Sequence, residues 1–315
     1  MRALITGGGG FLGAEVANAL IARGDTAIAF DPQLNALASV DHANLVRVPG
    51  DITDLASIAQ AVKMHQPDAV IHCAAIVGAL ASLGSPINVV RVNIEGSLNV
   101  FEAMRLGGIR RCIHISSEEA YGPFRTDRID ETHPLDPVLP YGICKAAVEQ
   151  LGRSFSDLHG LEVINLRTSW VYGPGLPRER VPKTLVDAAL AGRKLHVASG
   201  AYTKIDHTHV FDIVSGILKA LDHPQHRYDA YNIASGQATT IAELIAVIRE
   251  QIPAAQLSVG PGPYKHGDRI EMVRKGALDV SRAAAELGWA PRYDIRAGLT
   301  DYIQALRAAS NQPRS

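Results

Sequence analysis

Eight residues near the start constrain the fold more than any others: Thr6-Gly7-Gly8-Gly9-Gly10-Phe11-Leu12-Gly13. They follow an apolar run, Arg2–Thr6, that reads as a buried strand, and they lead into Phe11–Arg23, which reads as a helix. Strand, glycine-rich turn and helix in that order form an anion cradle. Gly7, Gly10 and Gly13 keep a GxxGxxG spacing. Such glycines permit a tight turn and let backbone N–H groups approach a pyrophosphate at the helix N-terminus. Phe11 and Leu12 fall in the same cradle.

The rest of the first half repeats the alternation. Thr26–Phe30, Leu45–Val48, Ala69–His72, Cys112–Ile115 and Val163–Arg167 read as strands, and Asp54–His65, Pro86–Leu106 and Tyr141–Leu158 as helices. Alternating strands and helices predict an α/β fold, a Rossmann-type doubly wound parallel sheet covered on both faces. After about residue 166 proline and glycine cluster, at Tyr172–Pro177 and again at Pro253–Gly267. Segments of this kind close over a site rather than extend a sheet. The expected division is a dinucleotide-binding domain at 1–166 and, at 167–315, a smaller C-terminal substrate-binding lobe with some segments returning to the core. A chain of 315 residues, 47% apolar, can bury a core of that size.

Composition removes several function classes. The 31 basic and 32 acidic residues nearly cancel and no basic block exists, so no nucleic-acid partner is expected. Cys73, Cys112 and Cys144 form no CxxC pair, so neither a disulfide framework nor a metal site is expected, and a reducing cytoplasm is the default. His207 and His209 lack a third ligand and read as backbone-binding residues. Ala69–Val90 carries no Asp, Glu, Lys or Arg, but its His72, Gly78, Gly84, Pro86 and Asn88 fit a buried strand running into a loop better than a membrane span. The helices near Val90–Met104 and from Tyr141 offer a face for a homodimer.

Asp31 ends the second strand, where a carboxylate can accept both ribose hydroxyls of NAD and repel the 2′-phosphate of NADP. Asp51-Ile52 follows the third strand; Asp51 either meets the adenine amino group or caps the next helix, a role that Thr53 or Asp54 fills better. Tyr141 and Lys145 stand four residues apart on one helix face. A free phenol ionises near pH 10, and a neighbouring ammonium lowers that value, giving an acid–base group suited to alcohol oxidation. Lys145 also suits the nicotinamide ribose. Ser117, at the carboxyl end of a buried strand, can hydrogen-bond the reacting oxygen.

Together these residues resemble the extended short-chain dehydrogenase/reductase group, the NAD-dependent epimerase/dehydratase family. The likeness runs from Ala3 to about Leu306 and includes His72-Cys73-Ala74-Ala75, Val92-Asn93-Ile94-Glu95-Gly96, Ser116–Gly122, Val171-Tyr172-Gly173-Pro174-Gly175, His209-Val210-Phe211-Asp212 and Leu287-Gly288-Trp289. The resemblance implies NAD as cofactor and Ser117, Tyr141 and Lys145 as the catalytic set. Ala74 joins the cofactor contacts, and Asn93, on the helix before the catalytic serine, is placed with them. It also points to Glu118 and Glu119 as an acid–base pair of the dehydratase type, Glu119 being the further catalytic candidate.

The second half departs from the family pattern. Trp170 occupies the place of an asparagine before VYGPG, Ile205 that of an arginine, and Lys265-His266-Gly267-Asp268 replaces an arginine-led PGD stretch. Arginine grips a diphosphate through two parallel hydrogen bonds, and isoleucine cannot. The expectation is therefore hydride transfer at a secondary hydroxyl of a small carbohydrate without a nucleotide, a sugar or sugar acid. Its contacts would be Ser117, Glu118, Trp170, Lys265 and Arg269, with Arg178 as a further cation for a carboxylate. The alternatives are a nucleotide-sugar 4-epimerase and, behind it, a dehydratase. A non-catalytic NAD-sensing protein is disfavoured because Ser117, Tyr141 and Lys145 are all present.

Overall fold

The computed structural model describes residues 1–267 and 269–310. Its centre is a sheet of seven strands: β1 Arg2–Thr6, β2 Thr26–Asp31, β3 Leu45–Pro49, β4 Ala69–His72, β5 Arg111–Ser117, β6 Glu162–Thr168 and β7 Ala230–Ile233. Their order is β7-β6-β5-β4-β1-β2-β3, and every pairing is parallel. The order reverses at β1, between β2 and β4. That switch point opens a crevice at the strands' carboxyl ends, above the glycine-rich turn.

Strand residues alternate between two cores. Ala3 and Ile5 of β1 face α1 (Phe11–Ala22). Leu4 faces the opposite layer, α2 (Leu55–His65), α3 (Gly96–Gly107) and α4 (Pro140–His159). Helix α5 (Val210–Asp222) packs beside α1, and Trp289 lies in the same core, its indole N–H donating to Ser215 Oγ at 2.8 Å. Both faces being covered explains why these strands read as unbroken apolar runs.

Local chemistry sets the helix ends. Asp54 caps α2 by accepting from Ala56 N at 3.0 Å. Pro140 occupies the first turn of α4, and Gly160, at φ +71°, ends it in the left-handed conformation. One expectation changes here. The predicted helix over Pro86–Leu106 is helical throughout but not uniform: Pro86–Val90 passes through a π-turn at Arg91–Glu95 before α3. A short helix, Ala79–Gly84, precedes it. The wider turn holds one extra residue per loop, and it displaces Asn93 toward the chain leaving β4.

A third core, from Trp170, Leu185, Val186, Ile205, Ile241, Leu244, Leu299 and Tyr302, belongs to the polypeptide beyond β6. It stands over the carboxyl ends of β5 and β6. Among the described residues no helix is long and apolar enough to cross a membrane.

Candidate active site

Two cavities meet above the sheet. The first, of 480 Å³, runs over the glycine-rich turn. Gly7 adopts φ +70°, and a Cβ there would stand 2.7 Å from Ala74 N; a Cβ on Gly13 would strike the Gly7 carbonyl. Gly10 enters α1 with its N–H on Gly7 O at 3.0 Å, and no side chain caps that helix. Phe11, Leu12, Asp31, Asp51, Ile52 and Ala74 all line this cavity. Asp31 Oδ1 accepts from Gln33 N at 2.9 Å; burial pushes its pKa up, and the nearby Asp51 adds to the shift. Asp51 accepts from Thr53 N at 2.8 Å and leaves the helix cap to Asp54.

Asn93 is not in this wall. It is buried, accepts from Ile76 N at 2.7 Å and donates to Ile76 O at 2.9 Å. Its amide pins the loop that carries Ala74 to Val77, so it positions the cavity wall from behind.

The second cavity, of 670 Å³, lies between the sheet and the segments after β6. Val77, Tyr141, Thr168, Val171 and Arg178 line both. Tyr141 is therefore at the junction, with Ser117 from the end of β5 beside it. Lys145, one turn along, donates to Ile115 O at 2.5 Å, and its Nζ is 5.9 Å from the centre of the Tyr141 ring. Burial lowers the Lys145 pKa to about 8 and pushes the Tyr141 phenol up to about 12. Arg178, a hydrogen bond with Ser117, and Arg180 pull the phenol back down.

The remaining candidates separate. Glu119 lines the second cavity, its Oε2 3.5 Å from the buried Nζ of Lys275. Glu118 does not line it: only 1% exposed, it points into the protein with neither oxygen hydrogen-bonded, and burial pushes its pKa up to about 7. The exposed Arg269 is absent from the cavity wall, whereas Lys265 is in it.

Trp170 is in the wall, at φ +27°, a backbone region a bulky residue occupies only when its surroundings hold it there. Those surroundings are Arg180, with its guanidinium 5.0 Å from the indole centre, the stacked His266 ring at 6.1 Å, and the edges of His207 and Tyr264. Ile205, at the expected arginine position, is fully buried in the third core and takes no part in the wall. Arg180, His266 and Thr168 are wall residues that sequence reasoning missed. The signal available for Arg180 was the pair of arginines in Arg178-Glu179-Arg180, inside a proline-rich loop.

Among the described residues no group of His, Cys, Asp and Glu could hold a metal. His209 accepts from Phe211 N at the start of α5.

The model of the NAD dependent epimerase/dehydratase family matches residues 3–234. A dTDP-glucose 4,6-dehydratase of Xanthomonas campestris pv. campestris (strain B100) is 30% identical, over 94% of this chain and 90% of that protein. Among solved structures, the UDP-glucose 4-epimerase of Thermotoga maritima with UDP-glucose superposes with a TM-score of 0.90 at 28% identity, covering 99% of this chain and 100% of that one. MoeE5 with UDP-glucuronic acid and NAD gives 0.87 at 27% identity, covering 98% and 100%.

Proposed function

The chain belongs to the NAD dependent epimerase/dehydratase family, and from that premise we propose that it is a nucleotide-sugar 4-epimerase. The cofactor is NAD. The first cavity fits it: the Gly7 and Gly13 cradle leaves room only for backbone beneath a pyrophosphate, and two carboxylates, Asp31 and Asp51, face the adenosine end. When bound, NAD accepts a hydride from the sugar and can return it.

The chain's own residues do the rest. Tyr141 takes the proton of the reacting hydroxyl and gives it back, with Arg178, Ser117 and Arg180 favouring its ionised form against burial. Ser117 donates to the same oxygen and steadies the charge that develops there. Lys145, fixed by Ile115 O, holds its charge beneath the phenol.

One observation favours epimerisation over dehydration. Removing water across a carbon–carbon bond requires a base and an acid at separate atoms. Of the two glutamates after Ser117, only Glu119 lines the substrate cavity, and it is tied to Lys275. Glu118 faces away. Besides the hydride exchange that NAD would supply, epimerisation asks of the side chains only Tyr141 and Ser117 at one oxygen, and room for the ring to turn over.

The earlier expectation of a sugar without a nucleotide gives way. It rested on Ile205 and Trp170 stripping the cavity of donors, yet Ile205 is outside the cavity, and Lys265 and His266 stand in its wall as donors. Its relatives include a dTDP-glucose 4,6-dehydratase and a UDP-glucose 4-epimerase. The test is a proton NMR assay of UDP- and dTDP-linked hexoses and hexuronates with NAD, read alongside NADH absorbance. Inversion at C4 without accumulation of NADH is the expected result. A 4-keto-6-deoxy product would assign a dehydratase, and stoichiometric NADH a net dehydrogenase.

A further inference from the structure

We propose that Arg178 and Arg180 form a carboxylate-binding pair at the reacting end of the substrate cavity, so that the sugar handled here is a hexuronate rather than a neutral hexose. The proposal rests on the nucleotide-sugar reading above and narrows it.

Both arginines line the substrate cavity, and neither makes an ion pair among the described residues. Arg178 donates from one terminal nitrogen to Val77 O at 2.9 Å, and Arg180 to Val171 O at 2.7 Å. The Nε of Arg180 is buried and has no partner. The two guanidiniums also repel one another; burial together with Arg178 holds the Arg180 pKa down to about 9. Elsewhere in the protein buried arginine is compensated, as Arg167 is by Glu149 at 2.6 Å. Arg178 and Arg180 are neighbouring, half-buried cations that no carboxylate pairs directly, Glu118 acting on Arg180 only from beyond ion-pair distance, and such an arrangement is costly in the free protein. An anion arriving between them removes that cost.

Position identifies the part of the ligand that carries the anion. Arg178 lines both cavities, as Tyr141 does, and the Tyr141 phenol is within the field of each guanidinium. The reacting hydroxyl must reach Tyr141. An acidic group that meets Arg178 and Arg180 is therefore close to the reacting carbon, where the carboxylate on C5 of a hexuronate adjoins C4. The diphosphate, across the ring on C1, has Lys265 available in the wall. The Trp170 face beneath Arg180 holds the guanidinium plane, which favours a planar, two-oxygen partner.

The experiment titrates the NAD-loaded protein calorimetrically with UDP, UDP-glucose and UDP-glucuronate, for wild type, Arg180→Met, Arg180→Lys and Arg178→Met. Wild type should prefer UDP-glucuronate over UDP-glucose by roughly tenfold or more, the worth of a charge-assisted hydrogen bond. Either methionine variant should bring that ratio close to one. Arg180→Lys should keep part of it. Equal binding of the two sugars by wild type overturns the proposal. So does an equal loss for all three ligands in the methionine variants, which would assign the pair to the diphosphate. Inversion of UDP-glucose with no preference for the uronate defeats this proposal alone. Failure to bind any nucleotide sugar defeats the proposed function as well.

Discussion

Glu118 and Glu119 are adjacent in sequence and opposite in setting. The short turn Glu118–Tyr121, which Ser117 caps through Glu119 N at 3.2 Å, sends one side chain inward and the other to the cavity. A buried carboxyl resists ionisation, and its pKa of about 7 exceeds the ordinary 4.5. The folded state thus keeps a proton that the unfolded state has lost. Below about pH 4.5 the group is neutral in both states and costs nothing; through about pH 7 the cost grows, and above that it is fully present. Glu118→Gln should accordingly be neutral near about pH 4.5 and stabilise by on the order of 1 kcal/mol near about pH 8, a difference that thermal melts at the two pH values will read. Tyr141→Phe separates chemistry from binding at the same scale. Losing the phenolic proton carrier should lower turnover by roughly a hundredfold or more while NAD affinity stays close to wild type. Near-normal turnover would remove Tyr141 from the mechanism.

An ion pair fixes the element that carries Tyr141 and Lys145. Glu149, two turns further along α4 and fully buried, accepts from Arg167 Nη2 at 2.6 Å and from Ser116 Oγ at 2.6 Å. Arg167 also donates to Tyr121 O–H at 2.9 Å, and that hydroxyl donates to Asn232 Oδ1 at 2.8 Å. One network thus joins α4, β5, β6 and β7 directly behind the site. Breaking a buried pair from one side strands a charge, whereas removing both ends does not. Arg167→Met should therefore cost roughly 3–5 kcal/mol. The double variant Arg167→Met, Glu149→Leu should cost clearly less than the sum of its parts, as measured by urea unfolding in a double-mutant cycle.

At the scale of the molecule, the polypeptide after β6 must be held over the sheet for the second cavity to exist. Asp206 does much of this. Fully buried, it accepts from Ser235 N at 2.9 Å, Ser235 Oγ at 2.6 Å, Gly236 N at 3.1 Å and Leu278 N at 3.1 Å. These partners come from the end of β7 and from a strand, Ala277–Leu278, that pairs with Arg128–Ile129. Asp206→Asn keeps the shape but turns one acceptor oxygen into a donor facing other donors. It should destabilise by about 2–4 kcal/mol and raise KM for the sugar more than for NAD, because the sugar cavity takes more of its wall from the overlying segments than the cofactor cavity does. Equal effects on both constants would show that Asp206 stabilises the chain without shaping the site.

The sequence by itself determined what depends on short-range pattern. Period and glycine spacing located the β1–turn–α1 cradle, since only glycine tolerates the approach of Ala74 N to Gly7 and of the Gly7 carbonyl to Gly13. The unbroken apolar strands implied a sheet covered on both faces, and the four-residue step from Tyr141 to Lys145 put both on one face of α4. Tertiary structure alone decided the substrate cavity. Side-chain direction at Glu118 and Glu119 follows from one irregular turn, which no periodicity foretells. Asn93 leaves the cofactor wall because a π-turn rotates it toward Ile76. Ile205, a departure from the family pattern, is directed into the core formed after β6, so its identity leaves the cavity wall untouched, whereas Arg178 and Arg180 reach that wall from a loop. Loop residues meet across a cavity through long-range packing, and packing is a property of the whole chain rather than of any window within it.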